Sequence, residues 1–482
     1  MRAAKFLAAT AVSIAAPCTA AQADVQINNK ATSNMSCVSG VCTATAQKAV
    51  LNVGELQTML AGGAVTVKTG TLAKDISLDQ PLSWTGTSRL TFDAQRSVIL
   101  NKQVTVMGPG SLTVTTNDNG QPKNKSGEFI IVPERGSVQL WDSSSSLIID
   151  GHTYTLVYDI KTLAADVAAN PSGYFALAKP YDASVDGTYS GAAVLSDFQG
   201  IYEGLGNSIA KFRVSFVGYE GDLYGLFAQV AVQGIVRHFG LLNANVTGPS
   251  FGRVIVGAIV GNNNGLVDSC WVTGAIKAGT GGGIGAIAGA NGGLIERAHG
   301  GAKIESSGAE DVYLGGVAGV SNNLKRSYST GSIKVIQANG GYVGGLVGYN
   351  LMRVNNSYSL TKIQDGRANC CEAYFGGLAG KNGLGARIVS SYAAGRIRSG
   401  SRDTILGGFI GFDASKPGSL SDNYWDLEKG VGNPSQGAGN LPNDSGITGL
   451  GDEALKSGLP DGFSQKIWSS EPNKNKGYPF LK

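Results

Sequence analysis

The stretch that decides the fold is Gly344-Gly345-Leu346-Val347-Gly348-Tyr349-Asn350, followed after a short polar step by Asn355-Asn356-Ser357-Tyr358-Ser359. It pairs a Gly-x-x-x-Gly signature with a second apolar strand centred on an aromatic residue. The signature recurs as GAIVG from Gly257, GAIAG from Gly285, GGVAG from Gly315, GGLAG from Gly376 and GGFIG from Gly407, at intervals of 28, 30, 29, 32 and 31 residues. A degenerate earlier copy starts near Tyr224, in Tyr224-Gly225-Leu226-Phe227. Self-similarity at such a period marks a repeat architecture.

The second strand reads SCWVTG, RSYSTG, NSYSLT, SSYAAG and DNYWDL, which puts Trp271, Tyr328, Tyr358, Tyr392 and Tyr424 in equivalent places; the copy at Ala298 lacks the aromatic in this reading. Segments this short and glycine-rich suit strands joined by tight turns rather than helix pairs. One unit cannot bury its own apolar face, so neighbours must cover it, and equivalent residues then lie about 4.8 Å apart. An all-β solenoid of parallel strands is therefore expected, with the five aromatic residues in one stack. Cys270 occupies the small-residue place of Ser327, Ser357 and Ser391 and should be a buried, unreactive thiol. The glycines are expected at positive φ or at close backbone approaches, and Asn262, Asn291, Asn350 and Asn382 at turns just beyond them.

Composition agrees. Glycine supplies 71 of 482 residues, about twice the usual share of roughly 7%. Charged residues are 15% against a typical value of about 25%, with 39 Lys+Arg and 35 Asp+Glu, so no bulk attraction to nucleic acid is expected. His152, His238 and His299 are far apart and none begins a His-Glu-x-x-His motif, so neither a histidine metal site nor a cofactor is expected.

Outside the repeats, Arg2, Lys5, the apolar run Phe6 to Ala16 and Ala21-Gln22-Ala23 read as a signal peptide, with the mature chain starting near Asp24. No later stretch is apolar over 18 residues, so no further helical span is expected. In the oxidising compartment this implies, Cys37 and Cys42 bracket a glycine and can close a hairpin disulfide, while Cys370-Cys371 can be oxidised or reduced. Two short helices are expected, from Asn52 to Ala61 and from Ile160 to Ala169. The chain thus divides into a signal (1–23), an N-terminal segment with hairpin and helix (24–63), an N-terminal solenoid part with one helical insertion (64–223), the repeats (224–426) and a C-terminal cap (427–482).

The GGLVGYN and NNSYS motifs and their sister copies resemble the GLUG repeat of bacterial surface proteins. DGHTYTLVYDI from Asp150, NPSGYFALAKPYDAS from Asn170 and YEGLGNSI from Tyr202 resemble filamentous haemagglutinin-like adhesins, and Trp84 to Asn119 is similar to their preceding strand repeats. The likeness covers most of the chain after about residue 50. It implies a right-handed parallel β-helix and a role in adhesion, secreted or at the cell surface, with a host or matrix glycan or surface protein as partner. The Asn-Pro-Asn-Leu secretion motif of that family is absent. That puts the outer-membrane export partner in question and keeps the periplasm as an alternative location.

Six residues after the aromatic stand Lys277, Lys334 and Arg398, and four after it Lys362 and Arg396. Both offsets are even, so these cations share a strand face and should form a basic stripe for acidic glycans. Polar outward positions that keep a sheet from aggregating are the plainer account of the same charges. The other class of function, a carbohydrate-active β-helix enzyme, needs carboxylates that converge. Asp268, Glu296, Glu305, Glu310, Asp311, Asp365 and Glu372 fall at different repeat positions and form no ladder, so no enzyme is expected.

Overall fold

The computed structural model describes residues 24–118, 127–216, 223–249, 252, 254–279, 282–308, 311–367 and 371–482; the signal-peptide reading and Cys370 lie outside these. Its strands alternate in burial, as in Ser332–Val335, where Ile333 and Val335 point inward and Lys334 outward. With one face buried, a one-residue slip would expose the apolar side, so register is strongly held.

The chain forms a parallel β-solenoid of about 10 turns, 49% strand and 7% helix. A complete coil of the repeat region runs through Asp311–Gly315, Ala318–Lys325, Tyr328–Ser329 and Ser332–Val335, and each strand pairs in parallel with its equivalents above and below. The core is built of columns: Ile276, Ile304, Ile333, Ile363 and Ile397 on one wall, and Val236, Val267, Ile295, Leu324, Val354, Ile388 and Leu420 on another. Each such side chain stabilises the stack by roughly 1.5–3 kcal/mol when fully buried.

The signature glycines serve close approach. A Cβ on Gly344 would stand 2.0 Å from the Val347 carbonyl oxygen and 2.5 Å from the Gly380 nitrogen; Gly315, Gly376 and Gly407 meet the same obstacle. Of the two expected roles, close approach is the one these glycines fill; the regular corner is turned left-handed by one column of non-glycine residues, Ser269, Arg297, Arg326, Asn356, Ser390 and Asp422, with φ between 47° and 55°. The amides of the first five bond to the next coil, as Arg326 N–H does to the Asn355 carbonyl at 3.0 Å, which offsets the strain. The asparagines are likewise not turn residues. Asn291, Asn350 and Asn382 lie buried within strands, and Asn263 rather than Asn262 takes their place one coil earlier.

Both expected helices form. The first, α1 (Val53–Gly62), is capped by Asn52 and sets Leu56 and Leu60 into the N-terminal core. The second, α2 (Ile160–Ala169), is capped by Asp159 and buries Ile160, Leu163 and Val167. The Cys37–Cys42 disulfide closes the hairpin of Met35–Val38 and Val41–Ala44.

The tail differs from the expected end cap. Ile447–Leu450 adds one more rung beside Asn423–Asp426. The chain then passes through α3 (Asp452–Lys456) and turns back along the side of the solenoid, where Leu455, Phe463, Trp468 and Tyr478 pack on Tyr358 and Tyr392.

Candidate functional site

The expected aromatic column is present in register, but its rings stack only from His299 to Tyr392; among the described residues Trp271 makes no ring contact, and Tyr424 turns to Phe463 of the tail. Register aligns Trp271, His299, Tyr328, Tyr358, Tyr392 and Tyr424. His299 therefore fills the copy that had seemed to lack a ring, stacking on Tyr328 at 4.3 Å; Tyr328 and Tyr358 follow at 4.8 Å, and Tyr358 and Tyr392 at 5.0 Å. The tail covers the last of these, so the column is structural. Cys270 is buried, and burial pushes its thiol pKa far up, as expected of an inert side chain.

The basic stripe needs correction. The first outward column reads Lys277, Glu305, Lys334, Gln364, Arg398, so Glu305 interrupts it and pairs with Lys277 at 3.0 Å. The second reads Ala275, Lys303, Ser332, Lys362, with Arg396 next to Lys362 in the same register. Counting from the aromatic leaves out Lys303 and does not place Glu305 in the column, because the Ala298 copy has no aromatic to count from. Counting four and six residues from His299 finds both. Lys303, Lys334, Lys362, Arg396 and Arg398 are exposed, and among the described residues their side chains have no hydrogen bond or ion pair.

At the C-terminal end of these columns the sheet and the tail enclose an open groove of about 510 Å³. Lys362, Arg396 and Arg398 come from the sheet, Lys429 from the turn after Asp426, and Lys476 and Tyr478 from the tail. Leu360, Ile363 and Ala394 supply an apolar patch, and among the described residues no carboxylate lines the groove. Lys476 is also without an ion pair among the described residues. Lys429 is anchored from behind by Asp426 and Asp452, and Tyr478 donates to Asp426 at 2.6 Å. Burial pushes the Asp452 carboxyl up, but hydrogen bonds from Lys429, Lys456 and Tyr478 outweigh it and hold it far below the usual carboxylate range. Lys362, Arg396 and Arg398 thus converge as the spacing predicted, while Lys277 and Lys334 lie on earlier coils.

Three of the repeat acids are held in ion pairs: Asp268 with Arg297 at 2.6 Å, Glu296 with Lys325 at 3.1 Å, and Asp365 with Arg367 at 3.0 Å. Near the last coil, burial and then a hydrogen bond with Asp413 raise the Asp444 pKa to about 7. Among the described residues no three His, Cys, Asp or Glu side chains are grouped to hold a metal, and no helix is long and apolar enough to cross a membrane.

No family model and no curated protein matches this chain. Among solved structures it is similar to a candidate immunoglobulin A1 protease from Bacteroides ovatus, with TM-score 0.44 and 18% identity over 68% of this chain and 92% of that one, a likeness too loose to bear on activity.

Proposed function

We propose that the chain is an exported, non-catalytic bacterial adhesin or surface-interaction scaffold that holds acidic glycans in the groove of Lys362, Arg396 and Arg398. The observation that carries this reading is a groove with, among the described residues, five cations in its lining, four of them unpaired, and no acid. Guanidinium forks suit sulfate and carboxylate groups, and clustered charge of one sign concentrates polyanions. The GLUG-like repeats and the signal-like N-terminus support the adhesin and export parts of the reading, and a solenoid offers the long continuous face that an extended ligand needs. An outer-membrane export partner remains part of the proposal.

The test is binding of a heparin-derived hexasaccharide, against neutral dextran, by the chain from Asp24 onward. Arg396→Glu with Arg398→Glu should weaken hexasaccharide binding at least about tenfold, and binding should fall with added salt. Unchanged binding by the double variant overturns the reading. Labelling of intact cells tests the surface location.

A further inference from the structure

We infer that the C-terminal strap is the second jaw of this groove, so that docking of the strap and binding of a polyanion stabilise each other. The inference rests on the acidic-glycan reading above and adds a mechanism of capture to it.

Three of the seven charged and polar residues of the lining, Lys429, Lys476 and Tyr478, come from beyond the repeats. The strap reaches the groove through a turn in which Asn475 and Lys476 are both left-handed, at φ 46° and 58°. Asn475 Nδ2 holds that turn by donating to the Tyr392 hydroxyl at 3.0 Å and to the Pro479 carbonyl at 2.8 Å. A backbone conformation costly for both residues is thus maintained, and it delivers the Lys476 side chain to the groove.

From Pro460 onward the strap's backbone-to-backbone bonds among the described residues stay within the strap, its one ladder being Trp468–Ser469 with Phe480–Leu481, while the Asp461 and Gly462 carbonyls accept from the Tyr424 and Ser390 hydroxyls of the solenoid. Side chains hold it to the solenoid: Trp468 Nε1 donates to Asn356 Oδ1 at 3.1 Å, the Tyr392 hydroxyl to the Pro479 carbonyl at 2.6 Å, and the Tyr478 hydroxyl to Asp426. A segment without ladder bonds to its support opens at lower free energy than the coils beneath it. Docking also brings the unpaired Lys476 up to the unpaired Lys362, Arg396 and Arg398, a like-charge approach that opposes closure. An anion lying between them reverses the sign of that term, and anything that binds only the closed form suppresses opening in proportion to its saturation.

Hydrogen exchange of strap amides 462–482 in the full chain from Asp24, with and without the heparin-derived hexasaccharide, decides the matter. The expected result is at least about tenfold slower strap exchange at saturating hexasaccharide, with amides 343–354 of the solenoid unchanged. Lys476→Glu and the milder Lys476→Ala should each weaken binding several-fold and reduce the gain in protection. Trp468 fluorescence shows whether the strap of each variant still docks. Hexasaccharide binding that depends on Arg396 and Arg398, with strap exchange unmoved and both Lys476 variants silent, overturns the jaw and leaves the groove. Absence of any hexasaccharide binding overturns both.

Discussion

The ring of Tyr358 lies parallel to that of Tyr392, with centroids 5.0 Å apart and planes 3° apart, and the Tyr392 hydroxyl donates to the carbonyl of Pro479 in the strap. One side chain therefore joins the repeat stack to the tail. Tyr392→Ala should destabilise the chain by about 3–5 kcal/mol through the lost ring, and Tyr392→Phe by about 1–2 kcal/mol through the lost hydrogen bond. Urea unfolding measures both, and Trp468 emission should shift toward exposure in the alanine variant before the solenoid unfolds.

The buried amide ladder should be equally sensitive. Asn382 accepts from Asn350 Nδ2 at 2.7 Å and donates to Asp413 Oδ1 at 2.8 Å. Asn382→Ala removes one bond to each neighbouring coil, while Asn350 Nδ2 keeps the Arg387 carbonyl and Asp413 Oδ1 the Ser415 amide, so the cost is about 0.5–3 kcal/mol for each bond lost. Denaturant midpoints of the variant and the native chain give the difference.

Gly344→Ala asks whether the signature glycine is a matter of space. The added methyl would meet the Val347 carbonyl oxygen at 2.0 Å, so the coil must move. A loss of at least about 1–3 kcal/mol is expected, as for other overpacked interiors. Gly385, where an added Cβ meets nothing within 4 Å, is the control, and its alanine variant should stay within about 0.5 kcal/mol of the native chain.

His299 should give the fold an acid-side weakness. Burial lowers its pKa to about 4, whereas the unfolded chain takes up the proton near 6.5. The folded form resists that proton, so this contribution to stability is present above pH 6.5 and is lost as pH falls to about 4. The slope is at most about 1.4 kcal/mol per pH unit, and solvent at the half-exposed ring edge reduces it. His299→Tyr, which continues the ring column with the residue of the next coil, should remove this slope. The difference in Tm between variant and native chain should grow as pH falls from 6.5 to 4.

Glu305 tests the groove from a distance. It is the acid between Lys277 and Lys334 in the first outward column, and it neutralises Lys277. Glu305→Gln should tighten hexasaccharide binding a few-fold with stability changed by less than about 0.5 kcal/mol, because exposed ion pairs contribute little. Titration calorimetry at two salt concentrations measures the gain.

Period and strand alternation were legible from the residues alone: Gly344 with its sister glycines and Tyr358 with its sister aromatics already define a stack. That is because in-register stacking makes each position repeat its own environment, and a repeated environment selects a repeated residue type. The helix at Val53 was legible through its cap, Asn52, and that at Ile160 through its one-sided apolar spacing, whereas the Asp159 cap of the second emerged only from the structure. The charges of Lys362, Arg396 and Arg398 were readable as a shared face for the same reason.

What the linear chain left open depends on contacts between distant segments. His299 could be recognised as a ring of the stack only once register aligned it with Tyr328, and Glu305 as a break in the basic column followed from that alignment. The seating of Lys476 and Tyr478 beside Arg396 and Arg398 was decided in three dimensions. The strap carries no repeat to announce its place; it goes where Trp468, Phe463 and Tyr478 find the uncovered rings of Tyr358 and Tyr392, and burial of apolar area has no direction that a one-dimensional pattern can record.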